Sequence, residues 1–144
     1  MTKAETGAST FGSGFNCAQA VFSTFSEAYG LDGEAALKIA GGFGSGARAA
    51  ELCGAVSGAL LVIGLKHGQA DSTDADAKQK CNAEAEAFHR RFRTVNGSIV
   101  CRDLLECDIM TADGREAAVL KGLFKTKCTG FVVSAIQILQ EMGY

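Results

Sequence analysis

The chain contains no proline, no tryptophan, no two cysteines at CxxC spacing, and no large excess of either charge. Without proline, nothing locks φ or removes a backbone N–H inside a helix, so glycine, present 18 times, has to make the turns. The missing CxxC excludes the local pair that opens zinc knots and thioredoxin-type dithiol sites. Lysine plus arginine number 14 against 16 aspartate plus glutamate, a formal charge of -2. A balance this close gives no global field for nucleic acid or anionic lipid. Long apolar runs are missing too: the longest, 55–65, covers eleven positions, whereas a membrane span needs about 20. The opening residues, MTKAETGASTFGSG, hold no apolar signal segment. The expectation is one domain over 1–144 with a flexible N-terminus at 1–13, cytoplasmic, not inserted in a membrane and without a nucleic-acid partner.

What is present is helical patterning. From Phe15 to Tyr29, Ala18, Val21, Phe22, Phe25 and Tyr29 recur at spacings of three and four, with Ser13 or Asn16 as cap and Gly30 as stop. Glu34 to Ala40 reads as a shorter helix ended by the GGFGSG run at 41–46. Ala49 to Leu65 is apolar all round, the mark of a helix enclosed by others. Asp74 to Val95 is amphipathic, with Ala77, Cys81, Ala85, Phe88, Phe92 and Val95 inward. Cys101 to Cys107 is a short piece. Asp113 to Lys125 carries Ala117, Leu120, Leu123 and Phe124 inward. The last helix runs from Cys128 or Thr129 to Met142. No segment alternates with period two, so the pattern predicts an all-α, single-domain bundle of five to seven helices.

Six cysteines are set into this pattern, and four of them, Cys17, Cys53, Cys101 and Cys128, open apolar helical stretches. A helix start presents unpaired N–H groups and about half a positive charge, which favours thiolate over thiol. Arg102 and Lys127 stand next in sequence to two of them and add positive charge. Cys81, in the middle of an inward stripe, and Cys107, outside the helix-start theme, read as buried fillers. Apart from Cys101 and Cys107, the gaps are 20 residues or more, so any joint site has to be assembled by tertiary folding.

The glycine-rich GGFGSG has no preceding strand and no Walker lysine, and reads as close packing and a turn rather than a nucleotide loop. Its backbone N–H groups, with Arg48, offer a place for a small anion. His67 and His89 read as solvated or capping residues, and HRRFR at 89–93 as the outer face of a helix.

The motif Cys53-Gly54-Ala55-Val56-Ser57-Gly58, with Cys17 in FNCAQAV, Cys101 in CRDLL and Cys128 in CTGFVV, resembles the C_GCAxxG_C_C family of redox-active proteins, as does the GGFGSG before it. The resemblance runs from about Gly14 to the carboxy terminus. It implies a redox role for Cys17, Cys53, Cys101 and Cys128 and, since such proteins are often encoded beside transporter genes, a redox or transporter-associated partner.

Three chemistries are open to such a chain. The four cysteines can act as metal ligands for an iron–sulfur cluster, iron or zinc, serving electron transfer or sensing. Alternatively, Cys53 is the nucleophile of thiol–disulfide exchange with Cys17 resolving, because the glycines beside Cys53 leave room for a second sulfur. The third is a helical interaction protein whose cysteines only fill its core. Gly54 and Gly58, four apart on the apolar helix, let a neighbouring helix approach closely, and the same face could equally serve a homo-oligomer interface.

Overall fold

The helical periodicities emerge as eight α-helices in the computed structural model, which describes residues 1–144. They are α1 (Lys3–Gly12), α2 (Cys17–Ser26), α3 (Gly33–Ile39), α4 (Gly54–His67), α5 (Ala75–Asn96), α6 (Cys101–Leu105), α7 (Ala112–Leu120) and α8 (Thr129–Glu141). The all-α bundle expected from the sequence is the fold observed, with one antiparallel bridge, Leu52 to Val100, and no strand.

The enclosed helix is α4, as its unbroken apolar surface requires: every residue from Gly54 to Ala59 is buried, as are Val62 and Ile63. Its closest neighbour is α2, and glycine is the reason. A Cβ at Gly58 would stand 2.7 Å from the Ala18 carbonyl oxygen, and one at Gly54 would stand 3.1 Å from Cys17 Cβ. The GxxxG face is therefore used inside the chain, against α2, and is not free for a second copy. Helices α5 and α8 close the other sides, with Phe88 stacked on Phe92 at 5.9 Å and Phe92 tilted against Phe131 at 6.3 Å.

The segment 1–13, expected to be flexible, contains α1, and this helix takes the number beyond seven. Thr2 and Glu5 form a reciprocal capping box, a device worth about 1 kcal/mol. Gly7 is buried on Val132 and Ile136 of α8, a fit open only to a residue without a side chain. Asn16, not Ser13, caps α2. Thr111 rather than Asp113 caps α7. Val95 and Leu120, expected inward, are 66% and 79% exposed. Both lie at the last turn of their helices, where the apolar stripe has rotated past the core.

The largest departure precedes α4. Residues 49–53 do not join that helix, because Ser45, Gly46, Ala47, Arg48 and Ala50 all have left-handed φ between 54° and 64°. A left-handed conformation costs non-glycine residues roughly 1–2 kcal/mol each. One local and two tertiary bonds hold the segment: Glu51 N–H donates to Gly46 O, while Arg102 bonds Ala50 O at 3.2 Å and Glu51 Oε1 at 2.6 Å.

Candidate functional site

The Leu52–Val100 bridge is the device that brings two distant cysteines together. The residue after each partner is a cysteine: Cys53 N–H donates to Ile99 O at 2.8 Å, and Cys101 N–H donates to Glu51 O. Gly46, at φ +64°, lies against Cys101, where a Cβ would come within 2.9 Å of the cysteine's own. On the other side, Gly54 seats Cys17 at the start of α2. Asn16 fixes that start through a capping box with Gln19 and a bond from Nδ2 to Gly41 O at 3.2 Å. The GGFGSG run thus acts by packing, as expected: Gly44 lies against Asn16 and Gly46 against Cys101. Arg48 is exposed and bonds Ser45 Oγ at 3.2 Å.

Cys17, Cys53, Cys101 and Cys128 all line one cavity of about 550 Å³. Its walls are mainly apolar, with Phe11 and Phe15 on one side and Leu104, Leu105 and Phe124 on another. Cys53, Cys101 and Cys128 are buried and Cys17 is half-buried, and all four are free thiols. Cys81 and Cys107 are half-buried, packed at the edge of the hydrophobic clusters and outside the cavity lining, in line with the filler reading.

The helix-start theme holds for three of the four. Cys17 and Cys101 are the first residues of α2 and α6, and Cys53 caps α4. Cys128 instead has helical φ and ψ and ends a wide π-type turn, Phe124–Cys128, that runs straight into α8. Such turns are frequent at functional sites. The two neighbouring cations expected to favour thiolates point elsewhere: Arg102 pairs with Glu51, and Lys127 with Leu104 O and Glu106 at 3.5 and 3.7 Å.

Thiol acidity nevertheless divides sharply. Burial pushes Cys53 up to about 11, against the pull of the Ala55 and Val56 N–H groups. Burial and the neighbouring thiols push Cys101 to about 12. The Cys17 thiol, donated to Cys128, is held well above its ordinary value, with burial adding to the rise. Cys128 alone is lowered, because the Cys17 S–H stabilises its thiolate by more than burial opposes it. The acidic thiol is thus Cys128, one of the four candidate cysteines, rather than Cys53, the nucleophile expected from the sequence; its partner Cys17 is 111 residues away.

The same thiols do not make a metal cage. No group of three or more His, Cys, Asp or Glu side chains stands at metal-ligand spacing, so the donors present do not form a preformed site for a cluster or a single ion. Neither histidine lines the cavity. His67 sits 3.7 Å from Glu84 and edge-on to Tyr144.

Fold and cavity together define a helical protein built around four converging, unbridged thiols. Over residues 15–142 the chain matches the family described as putative redox-active protein (C_GCAxxG_C_C), and it belongs to that family. Comparison with curated proteins and with solved structures finds no match. No helix is long and apolar enough to cross a membrane.

Proposed function

We propose that this protein carries out thiol–disulfide exchange, with Cys128 as the attacking thiolate and Cys17 as the resolving thiol. The observation that carries the reading is the direct Cys17–Cys128 thiol hydrogen bond inside an open cavity, in which Cys17 donates and the Cys128 thiolate is favoured. The Cys128 thiolate attacks one sulfur of a bound disulfide; the S–S bond breaks and the leaving thiolate takes up a proton. Cys17 then gives up its proton and attacks the Cys128 sulfur, releasing the second thiol. The dithiol loses two electrons and two protons, and the disulfide becomes two thiols. An external dithiol regenerates the reduced form, which suits a cytoplasmic setting. Cys53, the nucleophile expected from its glycine neighbours, stays protonated at neutral pH and lines the cavity with Cys101. The metal-thiolate alternative draws no support from the donor geometry.

The test is single-turnover reaction of anaerobically reduced protein with 2-hydroxyethyl disulfide, followed by peptide mass mapping. The wild type should gain a Cys17–Cys128 bridge, and Cys53→Ser should still form it. Cys17→Ser should stop at a mixed disulfide on Cys128. A bridge that requires Cys53 would overturn the assignment. Stoichiometric iron or zinc protecting all four thiols would overturn exchange itself in favour of a metal-thiolate centre.

A further inference from the structure

We infer that the cavity selects small disulfides bearing anionic groups. This inference deepens the exchange reading and rests on it. About 550 Å³ lies within the range of small-molecule sites and is large enough for a two-armed disulfide. Its charged lining has one sign: Arg115 and Lys125 contribute to it, and no aspartate or glutamate does. In a chain of formal charge -2 that asymmetry is local rather than inherited.

Both cations are free to meet a ligand. None of the molecule's five ion pairs uses Arg115 or Lys125. The Arg115 guanidinium lies over the Phe124 ring, 5.4 Å from its centroid, so an aromatic wall of the cavity itself orients the charge. The carboxylates of Glu51 and Glu106 are engaged with Arg102 and Lys127. An incoming molecule therefore meets a cationic rim, apolar walls that accept its carbon skeleton, and thiols inside. Carboxylate arms match Arg115 and Lys125, while ammonium arms would face them; the one carboxylate that acts on a lining thiol, Asp108 on Cys101, lies outside the lining and accepts from Met110 N–H. The same cationic field stabilises the negative charge that develops on the leaving sulfur.

Alkylation and exchange separate the two layers of the argument. Cys128 of the reduced protein is alkylated with anionic iodoacetate and with neutral iodoacetamide, and the rate ratio is normalised to that of a free small thiol at the same pH. The wild-type ratio should exceed the reference by about tenfold at low salt, as cationic clefts raise anion encounter, and shrink at high salt. Arg115→Gln and Lys125→Gln should each bring it toward the reference, whereas Lys78→Gln on the outer face of α5 should not. A normalised ratio of one in the wild type would overturn the charge selection and leave the exchange reading intact. Exchange rates with dithiodiglycolate, 2-hydroxyethyl disulfide and cystamine, normalised in the same way, should fall in that order. Iodoacetate preference without reaction toward any of the three would overturn exchange, and the substrate class with it.

Discussion

Two hydrophobic clusters meet at the thiols, and they are unlike in size. The larger gathers 21 buried residues from α2, α3, α4, α5, α6 and α8 and includes Cys53. The smaller has only Cys101, Leu105, Ile109, Ala118 and Cys128. Cys17 packs against both. The proposed pair therefore spans a boundary, with Cys17 on the rigid body's edge and Cys128 in a satellite of few apolar contacts. Regions with few buried contacts open at lower free energy than the global fold. A dithiol that must first lie side by side, then admit a substrate, then close into a bridge is well served by such a boundary.

Breaking each side separately sharpens the contrast. Phe92→Ala removes a fully buried ring stacked on Phe88 and should cost about 3–5 kcal/mol in denaturant unfolding. Leu105→Ala, in the satellite, should cost about 2 kcal/mol because the neighbouring cavity lets the site relax. Yet Leu105→Ala should speed alkylation of Cys101 and Cys128 more than Phe92→Ala does at equal denaturant distance from the midpoint. If the two variants had equal effects on both readouts, the satellite would be no softer than the core.

Alkaline titration is the next largest effect, and its sign follows from the raised thiols. Cys53 in the folded state holds its proton up to about 11, against an ordinary value of 9.0 in the unfolded chain. Above pH 9 the unfolded chain releases a proton that the folded one keeps, so stability present below pH 9 is lost as pH rises toward 11. At about 1.4 kcal/mol per unit, Cys53 alone contributes a loss on the order of 2–3 kcal/mol. Cys101, raised to about 12, and Cys17, raised also, act in the same direction. Cys53→Ala should flatten the decline between pH 9 and 11 in chemical denaturation, and an unchanged slope would show that Cys53 titrates normally.

These contrasts also mark what the chain's pattern could and could not reveal. The enclosed nature of α4 was legible because no polar stripe interrupts 54–63, and the joint cavity was anticipated from four cysteines at helix starts. The left-handed residues between 45 and 50 were not, since alanine and arginine carry no left-handed preference and the bond from the distant Arg102 helps to hold them there. Thr2 and Glu5 do spell a capping box, so the first helix had a signal that a short polar opening obscured. That helix lies wholly before the family match begins at residue 15, yet Phe11 helps wall the cavity. The Cys17–Cys128 pairing had no local trace. It arises where α2 and the start of α8 converge, and helix periodicity does not encode that meeting.

A smaller effect isolates the pair itself. Cys17→Ala removes the S–H that stabilises the Cys128 thiolate, so the alkylation midpoint of Cys128 should move upward in pH. Cys17→Ser retains a donor and should keep the midpoint low while abolishing the bridge. Equal midpoints in the two variants would mean that Cys17 acts on Cys128 only by packing.

The smallest expected change lies on α7. Its sequence places Leu120 at a spacing that suggests an inward face, but this nine-residue helix contacts the satellite through the small Ala118, which is fully buried. Leu120 and Val119 are left 79% and 60% exposed. Leu120→Ser should shift unfolding by less than about 0.5 kcal/mol, as surface substitutions do, whereas Ala118→Leu should cost about 1–3 kcal/mol by overfilling. A loss above about 1 kcal/mol for Leu120→Ser that grows with protein concentration would show a second chain covering this face. The satellite would then be buttressed from outside, and its softness relative to the α2–α4 core would vanish.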